Sequence, residues 1–180
     1  IWTYSGGETD SLSYKNNSVS FPSLKKVGES AFEKSCFVME HLPSLQVIGK
    51  RSFVESNNNT SYRLKTYMDL SQVESIGNQA FYSCDLQDEV FKTIGSSLTS
   101  MGNYVFENAK IDNIDLSGNV RLLVSKGTFK GSSISSFIAN NAAAQLGNEI
   151  FMDCKNLKSF FTWRSLSMIG EAAFKDSNVE

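Results

Sequence analysis

The sequence predicts a right-handed α/β solenoid of about seven coils, each roughly 23 residues long. Short parallel strands are expected on one face and short helical turns on the other. Three observations support this fold class. A phenylalanine returns at intervals of 21, 28, 25, 23, 22 and 23 residues. An apolar residue and a glycine precede it in six of the seven copies, and a stretch with alternating apolar residues follows the clearest copies.

One copy, from Ile76 to Cys84, shows why a short helical turn is expected. Ile76, Ala80 and Phe81 stand at i, i+4 and i+5, and Cys84 stands at i+8, so all four fall on one helical face. Gly77 tolerates positive φ and suits a sharp turn. This segment is expected to face the core and to be the part of the coil least in contact with a ligand. The seven phenylalanines are Phe32, Phe53, Phe81, Phe106, Phe129, Phe151 and Phe174.

Each copy starts at the apolar residue that precedes the glycine. In most copies a second apolar position lies three residues before that start. It is occupied by a large apolar side chain in five copies and by Ala143 in the sixth, whereas Arg121 interrupts it in the fifth. The five large residues are Leu24, Leu45, Val73, Leu98 and Leu166.

The strand of each coil is clearest after the fourth phenylalanine. Ile111, Ile114 and Leu116 stand at relative positions 1, 4 and 6, and Ile134 begins a second stretch of the same form. Positions 4 and 6 alternate with period 2, as a half-buried strand requires. Neither a strand nor a turn of this length can bury its apolar side alone, so stacked coils are needed. A period in the twenties is the signature of a leucine-rich-repeat solenoid.

The combined motif resembles the BspA-like leucine-rich repeat. Its first half reads Gly-x-x-Ala-Phe-x-x-Cys-x-x-Leu, and residues 42–49 carry the second half, Leu-Pro-x-Leu-x-x-Ile-Gly. The resemblance covers residues 19–180, although Ser125 replaces the glycine of the fifth copy. It implies a bacterial protein, secreted or at the cell surface, that engages proteins of a host or of a neighbouring cell.

The predicted domain organisation is simple. Residues 1–18 are a polar leader or cap, and residues 19–180 form the repeat domain. The chain ends six residues after its last phenylalanine, so we expect it to be a fragment of a longer protein. It begins without Met and shows no n-region or h-region, so we expect any signal peptide to be already absent from it. The expected location is extracellular or on the cell surface.

Composition and motifs exclude several classes of function. A net charge of −2 gives no basic surface for nucleic acid, and no apolar run is long enough for membrane insertion. His41 is the single histidine, and no catalytic, nucleotide-binding or metal-binding motif accompanies it. We therefore expect no enzyme activity, no cofactor, no catalytic residue and no metal. Cys36, Cys84 and Cys154 lie two or more coils apart, so they are expected to be buried small residues and not disulfide partners.

The candidate ligand surface consists of strand residues that alternate with the core residues. These are Thr66, Met68, Asn113, Asp115, Ser136, Ile138, Ser159, Phe161 and Trp163. Contiguous exposed apolar residues mark interaction sites, so a protein partner is the main expectation. A shift of one residue would send Phe161 into the core and Phe160 outward, and both registers stay open. The polar insertion at residues 56–61 is a further candidate loop.

Two other functions are weighed against protein binding. The first is recognition of a surface glycan, in which Phe161 and Trp163 stack against sugars beside Asn113 and Asp115. The second is a passive spacer that holds another domain away from the cell envelope.

Overall fold

The computed structural model describes residues 19–35, 39–55, 70–86, 94–119, 122–139, 145–162 and 166–179. These residues form eleven short strands and no helix. In chain order the strands are β1 (Val19–Ser20), β2 (Lys26–Val27), β3 (Met39–His41), β4 (Val47–Ile48), β5 (Ser75–Ile76), β6 (Ser100–Met101), β7 (Asn113–Asp115), β8 (Ser136–Ala139), β9 (Gln145–Leu146), β10 (Ser159–Thr162) and β11 (Met168–Ile169).

Every strand pairing among the described residues is parallel and joins a strand to its counterpart in a neighbouring repeat. The largest sheet has the order β2-β4-β5-β6, and a three-stranded sheet has the order β10-β8-β7. Two further pairs, β1-β3 and β11-β9, complete the arrangement. The chain is therefore a repeat solenoid, as predicted. We number its coils one to seven by the phenylalanines from Phe32 to Phe174.

The core is a continuous stack of phenylalanine rings that passes through all seven coils. Centroids of rings in adjacent coils lie 5.3 to 5.5 Å apart. The five inner rings are fully buried, whereas Phe32 and Phe174 at the two ends are only partly buried. Burial of each such ring stabilises the fold by roughly 1.5–3 kcal/mol. The predicted ladder is confirmed.

The segment around each phenylalanine is a succession of tight turns. In every coil the second residue before the phenylalanine and the second residue after it have a left-handed φ between 50° and 64°. In coil three these residues are Gln79 and Ser83, and the Tyr82 N–H donates to the Gln79 carbonyl three residues earlier. Two left-handed residues four positions apart interrupt α-helical hydrogen bonding. The helical turns of the predicted α/β class are therefore not confirmed in the described residues.

The backbone N–H groups of these turns donate across to the next coil. In coil three the N–H groups of Gln79, Phe81 and Ser83 donate to carbonyls of coil four at 2.9 to 3.0 Å. The same three bonds recur between every pair of successive coils, at 2.7 to 3.0 Å. Because these donors are used between coils, the turns form a hydrogen-bonded ladder of their own on the side of the coil that carries the phenylalanines.

In coil five Asn119 takes the turn position of Leu45, Val73 and Leu98, because its N–H donates to the carbonyl three residues earlier as theirs do. Arg121 lies outside the described residues, but Leu122 is fully buried and Val124 is 3% exposed. Leu123 between them is 63% exposed. Alternation of burial over these three residues keeps the core continuous where the sequence pattern is interrupted.

Buried polar groups join neighbouring coils at two kinds of position. The Asn119 amide is buried, and its Nδ2 donates to the Gly95 and Leu98 carbonyls at 2.8 and 3.1 Å. The thiols of Cys84 and Cys154 are buried and donate to phenylalanine carbonyls of the preceding coil. Both cysteines are free, as predicted, whereas Cys36 lies outside the described residues.

Candidate binding face of the three-stranded sheet

The sheet β10-β8-β7 has a buried row that defines its inner side. Ile114 pairs with Phe137, and both side chains are buried. Phe137 pairs in turn with the backbone of Phe160. Residues paired in a parallel sheet point to the same face, and their neighbours along the strand point to the other face. The flanking positions therefore form the outer face of this sheet.

The first outer row contains three predicted residues. Asn113 pairs with Ser136, and Ser136 pairs with Ser159. Asn113 is exposed, and the two serines are half-buried. Adjacent strands lie about 4.8 Å apart, so an amide and two hydroxyls are presented side by side at that spacing.

The second outer row contains Asp115, Ile138 and position 161. Asp115 pairs with Ile138, which pairs with the backbone of Phe161. The Asp115 and Ile138 side chains are half-buried, and the Asp115 carboxylate accepts a 2.7 Å hydrogen bond from the Ser117 N–H. The pairing follows the register in which position 160 is in the row of Phe137, although the side chains of residues 160–162 are not described. Thr66, Met68, Trp163 and the insertion at residues 56–61 lie outside the described residues.

Hydrogen bonds between coils hold the start of these strands. The Asp112 carbonyl accepts from the Ser135 and Ser136 N–H groups and from the Ser135 hydroxyl, at 2.8, 3.2 and 2.9 Å. The Ser135 carbonyl accepts from the Lys158 and Ser159 N–H groups in the same way. The outer rows therefore rest on a backbone whose position is set before any ligand binds.

A second exposed surface was missed by sequence reasoning. Four residues of each coil surround the buried phenylalanine: those two and three positions before it and those one and two positions after it. We call these positions the turn face. In coil three they are Asn78, Gln79, Tyr82 and Ser83, all exposed or half-buried, although this segment was expected to face the core. The interruption of its apolar pattern at these four positions is the signal that could have identified the surface.

The turn face of coils five and six carries a cluster of interacting charges. Lys126 Nζ and Lys130 Nζ each lie 3.0 Å from a carboxylate oxygen of Glu149. Hydrogen bonds from Lys126 and Lys130 lower the pKa of Glu149, and its hydrogen bonds in turn raise the pKa of both lysines. Burial raises the pKa of the neighbouring Glu107 carboxyl. Lys126, Lys130 and Glu149 therefore neutralise one another as ion pairs.

The described residues offer little for catalysis. Among them no group of three or more His, Cys, Asp or Glu side chains is arranged to hold a metal ion. Burial raises the pKa of the Cys154 thiol to about 11, so it stays protonated at neutral pH. The fold presents two surfaces of side chains on hydrogen-bonded backbone, one on the three-stranded sheet and one on the turns.

Stacked coils of this length, each with a short parallel strand, are typical of leucine-rich-repeat proteins. A family profile described as the BspA type leucine rich repeat region matches residues 11–92 and 74–180, with six copies. The chain belongs to this family, and the resemblance seen in its sequence motif is confirmed. Proteins of this kind act as non-enzymatic interaction scaffolds.

Searches of the curated proteins and of the solved structures found no match. Within the described part of the chain, no helix has the length and apolar character needed to cross a membrane.

Proposed function

We propose that this chain is a non-enzymatic binding module and that the outer face of the sheet β10-β8-β7 contacts a protein partner. The contact surface comprises Asn113, Asp115, Ser136, Ile138, Ser159 and the position of Phe161. The observation that carries the proposal is the register of three successive strands, which aligns these positions in two rows above a buried row.

The chemistry of the two rows suits a protein surface. The first row supplies hydrogen-bonding groups, and the second combines a carboxylate with the apolar side chain of Ile138. Protein interfaces combine an apolar centre with surrounding polar groups in this way. Because the backbone beneath is held by hydrogen bonds between coils, binding requires little ordering of the protein, which favours affinity.

We further propose that the module works outside the cell or on its surface, in keeping with proteins of its family. Antibody labelling of intact source cells tests this location. Labelling that appears only after the cells are permeabilised would contradict it.

The binding proposal is tested with an array of purified extracellular and cell-surface proteins. Ser136 lies at the centre of the first row, so Ser136→Arg places a long charged side chain across the face. Ser100→Arg is the matched control, because Ser100 is an exposed strand residue on the four-stranded sheet. A protein that binds the parent chain on the array is selected for the comparison. We expect it to bind Ser136→Arg at least tenfold more weakly than the parent chain, about 1.4 kcal/mol, and to bind Ser100→Arg with unchanged affinity.

Thermal unfolding of both variants shows that they remain folded. Equal affinity of the two variants for the selected protein would contradict the assignment of the site. The absence of any bound protein on the array would contradict protein binding itself.

A further inference from the structure

The turn face changes its chemical character along the solenoid. In coils one and two, six of its eight residues are charged: Glu29, Glu33, Lys34, Lys50, Arg51 and Glu55. They form three ion pairs between these coils, with N–O distances of 3.0, 2.6 and 3.6 Å.

Coils three and four differ, since Glu107 is the one charged residue among their eight turn-face residues. The other seven are Asn78, Gln79, Tyr82, Ser83, Asn103, Tyr104 and Asn108. We call these seven residues the neutral patch.

Every residue of the neutral patch is exposed or half-buried. The backbone beneath is held by the hydrogen-bonded ladder between coils, with three bonds from coil three to coil four and three from coil four to coil five. The Asn78 Oδ1 adds a fourth contact, because it accepts from the Asn103 N–H at 2.9 Å. The side chains are therefore presented on backbone that hydrogen bonds hold to the next coil.

Four members of the patch have a left-handed backbone conformation. Gln79, Ser83, Tyr104 and Asn108 have φ between 53° and 56°. This conformation costs an ordinary side chain roughly 1–2 kcal/mol, and glycine avoids the cost. Coil five uses glycine at both equivalent positions, Gly127 and Gly131. Glycine is thus compatible with this turn, although the other six coils carry side chains at both positions. A change to glycine can therefore remove a side chain of the patch without disturbing the turn.

The two glycines of coil five also define the border of the patch. A side chain at Gly127 would collide with the Tyr104 ring, and one at Gly131 would collide with the Asn108 amide oxygen. Tyr104 and Asn108 therefore lie over the backbone of coil five. The Lys126 ammonium lies 5.9 Å from the centre of the Tyr104 ring and helps to hold the ring in place.

We propose that the neutral patch is a second binding site and that it takes an uncharged glycan. A hydroxyl group both donates and accepts hydrogen bonds, and a side-chain amide offers both functions on one planar group. Three asparagines and Gln79 supply such amides, and Ser83 supplies a hydroxyl. Tyr82 and Tyr104 add aromatic surfaces for the apolar C–H faces of sugar rings. An anionic glycan is disfavoured, because the one charge among the eight turn-face residues of these coils is the carboxylate of Glu107. The nearby Lys126 ammonium is already paired with Glu149 at 3.0 Å.

The test uses an array of neutral oligosaccharides beside sialylated and sulfated ones, probed with the complete chain. Gln79→Gly removes an amide from the patch, and glycine adopts the left-handed conformation of this position without steric cost. Glu55→Gly is the matched control, because Glu55 has φ 50° and occupies the turn face of coil two. Glu55→Gly also removes the exposed 3.6 Å ion pair with Lys34, which contributes little to stability. Both variants should therefore be about as stable as the parent, and thermal unfolding of each checks this. Tyr104→Ala tests the aromatic contribution.

We expect neutral oligosaccharides to bind the parent chain and Glu55→Gly equally. Affinity should fall at least about tenfold in Tyr104→Ala, as for an aromatic residue central to an interface, and should also fall in Gln79→Gly. Ser136→Arg on the sheet should leave glycan binding unchanged, which separates this site from the proposed protein-binding face. Binding of acidic glycans alone, equal loss in Glu55→Gly and Gln79→Gly, or no glycan binding at all would overturn the proposal.

Discussion

Phe81 and Phe106 lie one above the other in neighbouring coils, with ring centroids 5.4 Å apart and ring planes within 4° of parallel. Both side chains are fully buried. Neither coil could exclude water from its ring alone, so each ring depends on the coil beside it. Removal of one ring leaves a gap between two others.

The first prediction concerns this stack. Phe106→Ala should lower the free energy of unfolding by roughly 3–5 kcal/mol, because it leaves a cavity between Phe81 and Phe129. Urea denaturation measures the change. Leu123→Ala is the control, since that side chain is 63% exposed and its loss should alter stability by less than about 0.5 kcal/mol. A loss below about 1 kcal/mol for Phe106→Ala would show that the stack is not a main source of stability.

The second prediction concerns the left-handed turn residues. Gly127→Ala should destabilise the chain by about 1–2 kcal/mol or more, because φ is +59° and the added carbon meets the Tyr104 ring. Ala172→Gly makes the opposite change at the equivalent position of coil seven, where φ is 53°. It should be neutral or stabilising. Chemical denaturation of both variants checks the signs, and a stabilising Gly127→Ala would refute the assigned turn conformation.

The third prediction concerns stability at alkaline pH. Burial raises the pKa of Cys154 from 9.0 to about 11 in the folded chain. The folded state therefore binds the thiol proton more tightly than the unfolded state. This contribution to stability is complete below pH 9 and declines as the pH rises through about 11. Unfolding free energies measured between pH 8 and 11 should thus fall more steeply for the parent chain than for Cys154→Ala.

Thiol modification offers an independent check of the same residue. Cys154 should react with a thiol reagent at neutral pH only when the chain opens, so the rate should increase with urea concentration. Parallel pH profiles for the parent chain and Cys154→Ala would contradict the raised pKa.

The fourth prediction concerns acidic pH. Hydrogen bonds from Lys126 and Lys130 lower the pKa of Glu149 below its usual value of 4.5. Its contribution is therefore present above about pH 4.5 and is lost as the pH falls through the lowered value. The stability difference between the parent chain and Glu149→Gln should disappear over that range. It should also shrink in high salt, because these charges face solvent. A difference that is constant with pH would exclude the ion pairs as its source.

Much of the fold could be predicted from residue spacing. The phenylalanine period, the alternation from Ile111 to Leu116 and the position of the cysteines each follow from where apolar residues recur. Burial stabilises apolar residues wherever they meet, so their spacing in the sequence predicts which of them form the core. The same pattern placed Asn113, Ser136 and Ser159 on the outer face, and the strand register brings these three into one row.

Other features depend on contacts with the neighbouring coil. The segment from Ile76 to Cys84 has the apolar spacing of a short helix, yet Gln79 and Ser83 are left-handed and their N–H groups donate to coil four. Likewise, the polar Asn119 takes a buried place in coil five because the Gly95 and Leu98 carbonyls of coil four accept its amide hydrogens.

The sequence by itself determined that apolar residues recur with the period of a solenoid, and therefore which rings form its core. Only the tertiary structure decided the backbone conformation of the turns and the two surfaces they and the strands present. The physical reason is that burial depends on residue type, whereas the choice between a helix and a ladder of turns depends on hydrogen-bond partners supplied by the next coil.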